Sequence, residues 1–171
     1  MIQKALELIE QKQKETVPER IYGYSKMKPE EKREAVCNWL IRKGMTSGKE
    51  RFLITNTAGS VFAIRKGDKR SVRLNSVKEK LLSAKKNSLI FYHNHPLSGS
   101  FSFADMRTLN AYESLKEMVA VGHNKTIYSL MTGKRLSDKE FVMIFKDKTE
   151  EEGLKELVNK YKWKYSLKKR G

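Results

Sequence analysis

The sequence predicts an α/β domain, in the α+β sense, with a mixed or antiparallel sheet flanked by helices. Two observations predict it. Segments of helical and of strand character follow one another in the order helix, β-meander, short helix, strand, helix, strands, helix. That order lacks the regular βαβ alternation of a Rossmann fold, and no Gly-rich phosphate loop accompanies it. With 171 residues, 39% of them hydrophobic and 33% charged, the chain is long enough for a single globular domain with its own core.

In chain order, Ile2, Ala5, Leu6 and Ile9 have helical spacing, and Val17-Pro18 interrupts that helix. A second helix starts at Pro29. Glu30 and Glu31 sit in its first turn, Ala35, Val36, Trp39 and Leu40 share one face, and Gly44 marks its end. Residues 1–45 thus form an N-terminal helical segment packed on a core of residues 46–147. In that core, RFLITNT and SVFAIR flank Ala58-Gly59 as a hairpin, and RSVRL after the KGDK turn is a third strand. Asn75 or Ser76 caps a short helix through Leu82. SLIFYH is a strand stopped by Pro96. A helix is expected from Ser102 to Val119, with Met106, Leu109, Tyr112, Leu115 and Met118 on its buried side. MVAVGH and TIYSLM form a hairpin around His123-Asn124-Lys125, and FVMIF is a further strand. Residues 148–171 are expected as a basic C-terminal helix with Leu154, Leu157, Val158 and Tyr161 as its apolar stripe.

The net charge is +16, which favours acidic partners such as nucleic acid, or else a lysine-rich solvated surface. The tail KYKWKYSLKKRG interleaves lysines with Tyr161, Trp163 and Tyr165. Lys162, Trp163, Lys164, Lys168, Lys169 and Arg170 are therefore candidate nucleic-acid contacts by phosphate pairing and base stacking, against the alternative of a helix closing the core. Cys37 is the only cysteine, which rules out an intrachain disulfide and a cysteine zinc motif. The charged N-terminus is not a signal peptide, and no apolar run approaches membrane-spanning length. The expectation is a cytoplasmic protein with no membrane partner.

FYHNHPLSGSFSFAD, residues 91–105, carries the chemistry. In an extended strand, residues i and i+2 share a face, so His93 and His95 can converge. Asp105 falls in the first turn of the following helix, within reach of the strand end. Two imidazoles and a carboxylate leave a fourth tetrahedral position for water, the open arrangement of a catalytic zinc. Ser102-x-x-Asp105 is also a capping box, which is compatible with ligation. An HNH nuclease is a poor match, because those enzymes spread their residues through a ββα unit.

The string HNHP-(x)5-S-x-x-D resembles the JAB/MPN signature of JAMM metalloproteases, H-x-H-P-(x)6-S-x-x-D, in the form found in bacterial mobile-element, phage and RadC-like JAB domains. The likeness runs from about Glu50 to Leu130. It implies a JAB/MPN-like (cytidine-deaminase-like) sheet, one Zn2+ held by His93, His95 and Asp105, and a role for Ser102 in holding the tetrahedral intermediate. The loop after Pro96 is one residue shorter than the commoner spacing, which should change the substrate groove and leave the ligands in place.

The resemblance also implies a glutamate base upstream of the histidines, for which Glu50 is the natural candidate. Glu79 is instead expected to be a solvated partner of lysines, and Glu30, Glu31 and Glu34 to be helix N-terminal acids. His123 is expected to be a turn residue outside the ligand set. The implied activity is hydrolysis of a peptide or isopeptide bond in a protein tail or ubiquitin-like conjugate. The alternatives are a nucleic-acid-associated JAB module and a non-catalytic JAB scaffold.

Overall fold

In a computed structural model that describes residues 17–21, 23–67 and 74–170, six strands pair into one mixed sheet. They are β1 (Arg51–Asn56), β2 (Val61–Lys66), β3 (Leu89–His95), β4 (Leu115–Gly122), β5 (Ile127–Met131) and β6 (Lys164–Lys168), in the order β2-β1-β3-β4-β5-β6. Only the β3–β4 pair is parallel. Its crossover carries α3 (Phe103–Ala111), because parallel neighbours need a long connection. The remaining helices are α1 (Pro29–Ser47), α2 (Lys78–Ser83), α4 (Asp138–Phe145) and α5 (Glu150–Tyr161). The helix expected over residues 2–14 and the strand expected at RSVRL lie largely outside the described residues.

The alternation of β-strand side chains divides the core in two. Leu53, Tyr92, Val119 and Val121 meet Val36, Trp39 and Leu40 of α1 on one face. Phe52, Phe91, Met118 and Ala120 meet Leu81, Met106, Leu109, Phe141 and Leu157 of the other four helices on the opposite face. Helix α1 begins as its sequence suggests, with Pro29 in the first turn and the Lys28 N–H donating to Glu31 Oε2 at 2.7 Å. It runs a turn past Gly44 and ends on Gly48 in the left-handed conformation. Gly44 is needed for another reason: a Cβ there would collide with His123 and Asn94, so glycine lets the helix lie close to the sheet. Arg33 of α1 donates two hydrogen bonds, at 2.9 and 2.6 Å, to buried Glu117 on β4, fixing the helix to that face.

Several elements differ from the sequence expectation. The helix after Ser102 stops at Ala111, and the chain re-enters the sheet as β4 at Leu115. The i,i+3 spacing of Leu115 and Met118 is one that a helix would also give. It arises from a bulge: Leu115 opposes Leu89 and Glu117 opposes Ile90, so Lys116 is the extra residue and both apolar side chains fall on one face. FVMIF is helix α4, because Ser137 and Glu140 form a capping box. Phe141 and Ile144 are buried while Val142 and Met143 are exposed. Helix α2 starts after Val77, with no side-chain cap from Asn75 or Ser76.

The basic C-terminal helix is replaced by two elements. Helix α5 carries Glu150, Glu151 and Glu152 in its first turn, and it ends where Lys162 turns left-handed. The basic residues then follow as edge strand β6. No helix among the described residues is long and apolar enough to cross a membrane.

Candidate metal centre

β3 delivers the site. Phe52 on β1 opposes His93, and Ala120 and Gly122 on β4 oppose His93 and His95. The strand alternation sends both imidazoles to the α3 face and Asn94 to the α1 face. Helix α3 brings its first turn to the same end of the sheet. The Ser102 N–H donates to Asp105 Oδ2 at 2.8 Å, the Ser102 hydroxyl donates to the same oxygen at 2.7 Å, and the Asp105 N–H donates to Ser102 Oγ at 3.2 Å. The capping box therefore orients the carboxylate as well as starting the helix.

Three potential ligand atoms converge. His93 Nε2 and His95 Nε2 lie 2.7 Å apart. Asp105 Oδ1 is 3.3 Å from His93 Nε2, and Oδ2 is 3.4 Å from His95 Nε2. All three atoms lie within 4.8 Å of one another, so the buried cluster can hold a metal ion. Tetrahedral ligands with ~2.0–2.2 Å bonds to one ion sit roughly 3.3–3.6 Å apart, a spacing the two histidine–aspartate distances of 3.3 and 3.4 Å match, while the 2.7 Å between the imidazoles would have to open slightly. His95 Nδ1 is 2.9 Å from the Gly99 carbonyl. With Nδ1–H donating there, the Nε2 lone pair points into the cluster, the usual way a second hydrogen bond fixes a ligating histidine. Gly99 contributes only backbone to this contact, and no side-chain pattern in the sequence announces it.

The electrostatics follow from burial and the shared carboxylate. Burial pushes the His93 pKa down, and Asp105 only partly offsets this. Burial also pulls His95 down, but its hydrogen bond to Asp105 and that carboxylate's charge outweigh it and leave its pKa raised. The charge of Glu50 adds to the rise at His95. For Asp105, burial works upward, but the two histidines hold its carboxyl well below the usual range.

Glu50 stands immediately before β1, where its carbonyl accepts from the Gly67 N–H at 2.9 Å. Asn94 holds the chain on both sides of it. Asn94 Oδ1 accepts from the Arg51 N–H at 2.7 Å, and Asn94 Nδ2 donates to the Lys49 carbonyl at 3.0 Å. Thus the residue between the two histidines, facing the other way, places the backbone of Glu50. Its fully buried amide also lies 3.3 Å from His123 Nε2. His123 follows β4 in the turn before β5 and stays outside the cluster. Replacing Asn94 by Ala should leave the Arg51 N–H and Lys49 carbonyl without these partners. The expected cost is about 1–3 kcal/mol in urea unfolding, with metal stoichiometry unchanged. Loss of metal without loss of stability would contradict this placement.

The remaining candidates separate. Phe101 is buried beside His93, with ring centroids 6.4 Å apart, and Phe103 packs on Phe141 and Phe145. Cys37 is buried in the α1 core, and burial pushes its thiol up to about 12, so it is not a nucleophile. Trp163 is only 2% exposed, and its Nε1–H donates to the Lys134 carbonyl at 3.0 Å, so it offers no face to a base. Lys162, Lys164, Lys168 and Lys169 are exposed, whereas Arg170 pairs with Glu34 and donates to Asn38 Oδ1 at 2.7 Å. No family model matches the chain, and neither does any curated protein or solved structure.

Proposed function

We propose that the chain is a zinc-dependent metallopeptidase of JAB/MPN type, cleaving a peptide or isopeptide bond in a protein tail or ubiquitin-like conjugate. The observation that carries this reading is the convergence of His93, His95 and Asp105 at the end of β3, with Asn94 holding the chain on both sides of Glu50. The donor set fits zinc: two imidazole nitrogens and one carboxylate oxygen, with His95 held in a ligating tautomer by Gly99. Three protein ligands suit a catalytic rather than a structural ion. When bound, zinc supplies Lewis acidity toward a carbonyl and lowers the pKa of water to about 7.

The chain's own groups do the rest. Glu50 takes the proton from the attacking water and returns it to the departing amine. Ser102 acts first on Asp105, since its hydroxyl is committed to Oδ2, and orients that ligand. A role for Ser102 in holding the tetrahedral intermediate requires that hydrogen bond to be exchanged for one to substrate. Beside the site, a groove of about 570 Å³ runs between the loop after Pro96 and helix α5, with Phe101, Leu154, Val158 and Tyr165 among its walls. It suits an apolar side chain of a peptide substrate.

The test is a panel of ubiquitin-like conjugates and linear tails, with zinc measured by elemental analysis. About one zinc per chain and cleavage by the wild type are expected. A chain purified and reconstituted without retaining zinc would overturn the reading. A zinc-loaded chain that cuts nothing on the panel would favour the scaffold alternative.

A further inference from the structure

A second concave surface lies at the metal-site end of the sheet, on the α1 face. It is a cleft of about 750 Å³ between α1 from Glu34 to Met45, the turn joining β4 to β5, and the end of β6 with the chain leaving it. Arg42, Lys125, Lys168, Lys169 and Arg170 line it, from three separate elements. Among the described lining residues Glu34 is the single carboxylate, and Arg170 already pairs with it. We infer that this cleft binds the phosphate backbone of nucleic acid.

Three features favour that occupant. Cations converge from elements far apart in sequence, so the fold itself concentrates part of the +16 charge in one place. The lining is poor in the aromatic and apolar anchors that protein interfaces place at their centre, Met45 being the main exposed apolar side chain. Protein–nucleic acid interfaces are by contrast strongly positive and polar. The surface is also concave, which suits a rounded sugar-phosphate backbone better than a flat anionic bilayer. This site differs from one built on stacking by the tail: Trp163 is buried, and Lys162 and Lys164 do not line the cleft. Binding here is read mainly through phosphates and is therefore largely independent of sequence.

The experiment measures binding of a fluorescently labelled random oligonucleotide, single- and double-stranded, to the full chain across a salt series. Lys168→Glu with Lys169→Glu removes two cleft cations. Lys78→Glu with Lys80→Glu makes the same charge change on exposed α2, which leads toward the start of β3 at the other end of the sheet. The cleft pair should weaken binding by about tenfold or more and reduce the slope of log K against log salt by about 2. The α2 pair should have a much smaller effect, and both variants should keep wild-type zinc content and melting temperature. Equal losses from the two pairs would overturn the cleft as the site, and so would wild-type binding that is absent or insensitive to salt. Tighter binding of polyglutamate or of phosphatidylserine vesicles than of the oligonucleotide would assign the cleft to another acidic partner and overturn the proposal.

Discussion

Asp105→Ala should abolish metal retention, lowering zinc affinity by more than the ~10–100-fold that the loss of an outer partner costs. Among the described residues the carboxylate is the only acid in the cluster, and it lies 3.3 and 3.4 Å from the two imidazole nitrogens. Without it, two histidines remain, too few for a stable catalytic zinc site. Asp105 also caps α3, so the alanine variant should lose about 1 kcal/mol of stability as well. Asp105→Asn separates the two effects. Its side-chain oxygen can still accept from the Ser102 N–H, so the cap should largely survive while the charged ligand is gone. Ser102→Ala provides the converse case, keeping the ligand but removing the hydroxyl that orients it, with a fall within the ~10–100-fold range. Competition against a zinc chelator measures all three. Full zinc retention by Asp105→Ala would remove it from the ligand set.

If Glu50 is the base proposed above, Glu50→Gln should lower kcat by about 10²–10⁴-fold with zinc content unchanged, because it removes the proposed proton carrier and leaves His93, His95 and Asp105 alone. KM should change little, since glutamine occupies nearly the same volume. The placement makes this a sharp test: Asn94 holds the residues on either side of Glu50, so the backbone should stay where it is. Turnover at the wild-type rate would mean that another group carries the proton.

The convergence of His93, His95 and Asp105 was more legible in the sequence than the fold around it, for physical reasons. A strand end closed by Pro96, two histidines two residues apart and a capping box at Ser102 each impose local geometry, and together they leave little freedom to the three side chains. The tail fits both periodicities, so its sequence does not separate helix from strand. Leu154, Leu157, Val158 and Tyr161 are spaced for a helix, while Tyr161, Trp163 and Tyr165 alternate with lysines at strand spacing. The change of period occurs at Lys162, whose left-handed turn ends α5. FVMIF is too short for its apolar pattern to distinguish helix from strand, and Ser137 with Glu140 decided it. The bulge at Lys116 could not be read at all, since it exists only in the pairing with β3.

The opposed facing of His93, Asn94 and His95 has a consequence for how the chain acquires its site. A one-residue slip of β3 against its neighbours would turn the imidazoles toward α1 and the amide toward α3. Both the ligand cluster and the hold on Glu50 would be lost in the same error. In a chain that takes up metal at this cluster, as proposed, uptake during refolding would gauge correct strand alignment at the centre of the sheet, and a misaligned chain would announce itself as one that cannot be loaded.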